Sequence, residues 1–163
     1  MALPIAHGLF GASVAGLLAP SQTAGQNVKT VLLCAVLAIL PDFDYFFYQL
    51  LDWGESWHRS FSHSIVFSIV VGAMVAAAFG PFTPRSFLIY SLAILSHTLL
   101  DAVISEYPSG VQFFWPLSTR RIGFALIDYP NTFGRSRETY AVIVRFLKIS
   151  FFELLFFSPL FVT

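Results

Sequence analysis

The stretch FLIYSLAILSHTLLDAVI, Phe87–Ile104, is eighteen residues long, and near neutral pH only His97 and Asp101 in it can carry a charge. An apolar run of this length approaches the ~20 residues a helix needs to cross a bilayer. His97 and Asp101 stand four apart, so on a helix they share one face with their Cβ atoms about 5–6 Å apart. That spacing lets an imidazole and a carboxylate bind one metal ion, or lets the Asp orient the His. The blander alternative is a buried His–Asp hydrogen bond that pins two helices. Ionisable groups inside a membrane segment are costly and usually functional, which favours the site.

The rest of the chain agrees with a membrane helix. It has 163 residues, 56% hydrophobic and only 11% charged, with 19 Phe. A water-soluble domain carries about 25% charged residues. Nine acids balance nine bases, so nothing marks a nucleic-acid partner. One cysteine, Cys34, excludes an internal disulfide or a thiolate cluster. Three more apolar segments, Ile5–Ala19, Val28–Leu40 and Ser64–Phe82, precede the quoted one. The first has no Lys or Arg before it and reads as retained rather than as a cleaved signal peptide. Pro41 interrupts the second, which Phe43–Leu51 continues as a kinked helix. Thr139–Val162 carries Arg145, Lys148 and Glu153 and reads as a fifth span or an interfacial helix. Nothing alternates with period two, and lipid admits only helices or closed barrels. The expectation is one domain over residues 1–163: an all-α, multi-spanning helical bundle of four to five spans.

Four crossings up to Ile104 put the chain start, Pro41–His63 and the irregular Ser105–Glu138 on one side. That side carries Arg59, Arg120, Arg121, Arg135 and Arg137, against Lys29 and Arg85 opposite, so it is expected to be cytoplasmic. His7, His58, His63, His97, Asp42, Asp44 and Asp101 all gather near it. Pro41-Asp42-Phe43-Asp44 sets two carboxylates at a helix break, where both can reach a cation. His58 and His63 are five apart and need a turn to bring them together. His7, Gly11 and Ala15 share a helical face, and small residues mark close packing, so His7 points into the bundle. Arg120 and Arg121 form a basic pair suited to phosphate oxygens, with positive-inside charge as the simpler account. Asp52, Glu55, Asp128 and Glu138 look like ordinary solvated acids.

Taken in order, Ala6-His7-Gly8, Pro41-Asp42-Phe43-Asp44, His58 to Ser64, Ser96 to Asp101 and Gly110 to Ser118 resemble the YdjM-like family of membrane-bound metal-dependent hydrolases, some of them LexA-regulated. The resemblance runs from His7 to about Arg121. It implies an all-α metal site distantly similar to zinc phospholipase C and the P1-type nucleases, in a prokaryotic inner membrane. It also implies His7, Asp42, Asp44, His58, His63, His97 and Asp101 as metal-site residues. Residues 122–163 match no motif of that family.

A His/Asp donor set without thiolate suits Zn²⁺ first, with Mn²⁺ or Fe²⁺ as alternatives, and seven donors allow one ion or two. The expected chemistry is hydrolysis of a phosphoester or lipid-linked phosphate by a metal-activated water. Asp42 is the candidate general base, and Arg59 or Arg120 would neutralise the substrate. A site at the membrane face suits an amphiphilic substrate. Two rivals stand beside this: a divalent metal transporter, which needs donors spread across the membrane, and a non-catalytic structural protein, which predicts indifference to chelators.

Overall fold

The computed structural model describes residues 4–19, 24–51, 57–104, 110–126, 144 and 147–151. Among the described residues up to Ile104, five α-helices follow one another: α1 (Pro4–Leu18), α2 (Ala24–Leu37), α3 (Asp44–Leu51), α4 (Ile65–Ala78) and α5 (Pro84–Ile104). Short 3₁₀ turns at Leu40–Phe43 and Phe61–His63 lead into α3 and α4. Among the described residues there is no strand, only one isolated antiparallel bridge between Val111 and Ile122.

Local chemistry sets the boundaries. Ser64 caps α4, its hydroxyl accepting from the Phe67 N–H at 3.0 Å. Gly80 and Pro81 stop α4 after 14 residues, so it falls short of the expected Ser64–Phe82. At 1.5 Å per residue it is about 21 Å long, against a hydrocarbon core of about 30 Å. α5 instead gains a turn upstream: Pro84 occupies its first position, and Thr83 Oγ1 accepts from the Ser86 N–H at 3.1 Å. Among the described residues, α5 alone is long and apolar enough to cross a membrane as one helix. Val28–Leu37 and Leu40–Phe47 pass that test together, bent by 42° at the break before Pro41. α1 and α4 are apolar but shorter. By length and composition, the described residues thus hold one helix able to cross a membrane, or two if the bent pair is one span. Of the expected segment Thr139–Val162, only residues 144 and 147–151 are described, as helix. Asp52, Glu55, Asp128, Arg135, Arg137, Glu138, Arg145 and Glu153 lie outside the described residues.

The helices pack through small side chains. α1 lies on α2 and α5, and α4 lies on α5. Ala15, Cys34, Ala93 and Ile94 are buried between them. A Cβ on Gly11 would overlap Ala38 Cβ and the Cys34 carbonyl, so glycine is what lets α1 approach α2. Leu17, Leu32, Val36, Val70 and Met74 point outward, at least half exposed. Arg85 donates from Nε and an Nη to the Leu18 carbonyl at 3.0 and 2.8 Å, tying the end of α1 to the start of α5. The start of α1, the break after α2, the start of α4 and the end of α5 therefore share the other end of the bundle. Residues 110–126 run across that end as a strap, bonded from Ile65 N–H to Phe113 O (3.0 Å) and from Phe124 N–H to Ala102 O (2.8 Å).

Candidate metal centre

The break after α2 does two things for the site. It turns the chain so that Asp42 faces the bundle, and it releases a carbonyl. The Asp42 N–H bonds Ile39 O at 3.2 Å, three residues back, rather than Ala38 O four back. The freed Ala38 carbonyl accepts from His97 Nδ1 at 2.7 Å. That bond assigns the Nδ1 hydrogen of His97 and aims its Nε2 lone pair at the space between the helices.

His63, on the 3₁₀ turn before α4, is oriented by a similar relay. Ser62 Oγ donates to Asp44 Oδ2 at 2.5 Å and so accepts from His63 Nδ1 at 3.0 Å. Both imidazoles thus place their hydrogens on Nδ1, and their Nε2 atoms face each other at 3.0 Å. Two lone pairs at that distance repel, so either a proton or a metal ion must lie between them. Asp42 Oδ1 lies 3.4 Å from His97 Nε2 and 3.8 Å from His63 Nε2. Asp101 Oδ2 lies 3.6 Å from His63 Nε2 and 4.0 Å from His97 Nε2. One donor atom from each of the four residues falls within 4.8 Å of all the others.

These residues fit a divalent ion. Ligands 2.0–2.2 Å from a metal at angles of 90–110° stand about 2.8–3.6 Å apart, against 3.0–4.0 Å for these nitrogen and carboxylate pairs. Asp42 Oδ1 and both Asp101 oxygens are buried and make no hydrogen bond. Buried carboxylate oxygens without donors are costly and call for a cation. Asp101 here faces the guanidinium of Arg59, whose Nε is 3.0 Å from Asp101 Oδ2, and Arg121 acts on Asp44 from further off. Without metal, His63 takes up the charge. Burial alone would lower its pKa, but Asp101, Asp42 and Asp44 outweigh that and push it up to about 10.

The seven predicted donors do not all meet. Asp42, His63, His97 and Asp101 form the group of four. His7 is fully buried beside it, its ring stacked on His97 at 3.7 Å and its Nε2 3.7 Å from Asp101 Oδ1. Asp44 and His58 lie outside the four. Asp44 accepts from His58 Nδ1 (2.7 Å), the Arg59 N–H (3.2 Å) and Ser62 Oγ, which fills both its oxygens. It touches the centre through His63, with Oδ2 3.4 Å from Nδ1. Arg59 is buried against Asp101 with its backbone at φ 63°, a left-handed conformation held by the Asp44 carboxylate and by the Gln112 N–H on its carbonyl (3.0 Å). Arg120 is exposed on the strap. Its neighbour Arg121 instead donates to Gly110 O (2.9 Å) and His58 O (3.0 Å), fastening strap to site. Sequence reasoning missed Ser62 and the Ala38 carbonyl. Ser62 sits directly before a site histidine, a usable signal, whereas the Ala38 carbonyl appears only once the helix breaks.

A profile of the YdjM inner membrane proteins matches residues 1–162. The inner membrane protein YbcI of Escherichia coli (strain K12) is 32% identical over 115 residues, covering 61% of this chain and 66% of that relative, just under two thirds of its length. No solved structure matches.

Proposed function

The chain belongs to the YdjM inner membrane protein family, and on that premise we propose that it is a multi-pass, membrane-bound hydrolase working through a divalent metal held by Asp42, His63, His97 and Asp101. The observation that carries the proposal is the pair of Nε2 atoms 3.0 Å apart, each histidine having committed its Nδ1 hydrogen elsewhere. Two imidazoles and two carboxylates favour Zn²⁺, with Mn²⁺ or Fe²⁺ next. His7 Nε2, without a hydrogen bond beside Asp101, is the donor that would enlarge the site or admit a second ion. Bound there, such an ion supplies Lewis acidity and lowers the pKa of a water toward ~7.

The chain's own groups do the rest. Asp42, at 16% the most exposed of the four side chains, is placed to accept a proton from an entering water. Arg59 offsets the charge of Asp101. Arg120, exposed on the strap, is placed to meet an anionic group from outside. Phe43, Tyr45, Phe46 and Phe47 surround the two aspartates in sequence and stand about half exposed, which supports an amphiphilic substrate such as a phosphoester lipid or lipid-linked phosphate. Donors gathered at one end of the bundle favour a hydrolase over a transporter.

We further propose one domain over residues 1–163, four to five crossings with the short helices included, and a cytoplasmic site. Reporter fusions after residues 56 and 125 should then report one side, and those after 24 and 84 the other. The activity test is hydrolysis of a phosphoester and lipid-phosphate panel by the detergent-solubilised protein, lost to chelator and restored by Zn²⁺ or Mn²⁺. A metal-loaded, folded protein inert on the panel, whose proteoliposomes take up Zn²⁺, would replace the hydrolase with a transporter.

A further inference from the structure

The far end of the bundle holds a second feature. α2 and α4 both pack on α5 but scarcely meet each other. Between them opens a cleft of about 800 Å³, in the size range of small-ligand sites. Its walls are apolar: Leu32 and Val36 from α2, Ala76 and Phe79 from the end of α4, and Tyr90 from α5. Leu32 and Val36 are each 61% exposed and Phe79 is 69% exposed, so the described residues leave these walls uncovered.

One cation sits at its rim. Lys29 precedes Leu32, Leu33 and Val36 by three, four and seven residues, so all four line the same face of α2. From Lys29 to Val36 the helix rises about 10 Å. Thr83 and Ser86, also at the rim, bond each other through their hydroxyls at 3.0 Å, which leaves Lys29 as the lining's charge. Among the described residues, no Asp or Glu lines the cleft.

We propose that the α2–α4 cleft is a binding site for one anionic phospholipid, its headgroup phosphate on Lys29 and an acyl chain along Leu32, Val36 and Ala76. A lysine at the edge of an apolar trough matches the arrangement of headgroup over chain in one bilayer leaflet. With no carboxylate among the described lining residues to receive an amine, the lining favours a net negative headgroup over a zwitterionic one. The site is independent of the metal centre and does not rest on hydrolase activity.

The test uses the full chain in mild detergent, incubated with phosphatidylglycerol or phosphatidylcholine, with retained lipid counted by native mass spectrometry. One phosphatidylglycerol per chain should be retained over phosphatidylcholine. Lys29→Glu should lower that retention about tenfold and Lys29→Arg should keep it. Metal content serves as the folding control and should not change. A photoreactive residue at Val36 should yield a lipid adduct in membranes. Equal retention of the two lipids, retention untouched by Lys29→Glu, or a crosslink from Val36 to another copy or to the chain's own residues in place of lipid would each overturn the proposal.

Discussion

Asp42 and Asp44 stand two residues apart on one helix break, yet their surroundings are opposites. Around Asp44 every acceptor is used: His58, the Arg59 backbone and Ser62 all donate to it. Asp42 Oδ1 and both Asp101 oxygens are instead buried without hydrogen bonds, with Arg59 beside Asp101 and the Nε2 atoms of two histidines facing them. A carboxylate surrounded by donors is structurally complete, and its removal is a loss of hydrogen bonds. A carboxylate surrounded by other acceptors is complete only with a cation. The first neighbourhood positions; the second binds.

That contrast breaks most directly at the ligands. His97→Ala or Asp101→Ala should abolish stoichiometric zinc in purified protein, measured by elemental analysis, while Asp52→Ala and Glu55→Ala leave it unchanged. Equal metal in all four variants would leave only a hydrogen-bonded polar cluster. Asp44→Asn probes the other side. It keeps the shape but weakens the relay to His63, so metal affinity should fall about 10–100-fold without vanishing, as for other residues that orient a ligand. An Asp44→Asn protein as empty as the His97→Ala protein would make Asp44 a ligand and erase the distinction.

Backbone approach gives a smaller effect. Gly11→Ala should push α1 from Ala38, whose carbonyl holds His97, and cost about 1–3 kcal/mol of stability, read from thermal unfolding in detergent. Metal affinity should fall with it, since the same carbonyl sets the His97 tautomer. The smallest effect is a proton. His63 in the metal-free protein stays protonated up to about pH 10, so metal uptake at neutral pH should release close to one proton, seen by calorimetry in buffers of different ionisation enthalpy. The sign follows from the raised value. Stability that His63 lends the metal-free fold is full below its ordinary 6.5 and is lost as pH rises through about 10, while metal affinity rises over the same range. No proton release would mean that His63 is neutral and that the repulsion between the Nε2 atoms is relieved another way.

Much of this was legible in the residues alone. Apolar runs interrupted by Pro41, Gly80 and Pro81 dictate helices, because lipid and the protein interior both demand satisfied backbone groups. The i,i+4 spacing of His97 and Asp101 places both on one face whatever else the chain does. The inward face of His7, Gly11 and Ala15 follows from the same period, and all three are buried. Helix lengths were less legible: α4 stops at Gly80-Pro81, where hydrophobicity alone runs on to Phe82. The division of labour among seven polar residues was not legible at all. Composition makes Asp42 and Asp44 equals. Only the turn at Phe61–His63 and the left-handed Arg59 bring donors to one and not to the other. Likewise the Ala38 carbonyl and Arg121 act across gaps of 59 and 63 residues. Spacing within a helix is local and written in the sequence, whereas which atoms meet across such distances is settled by packing.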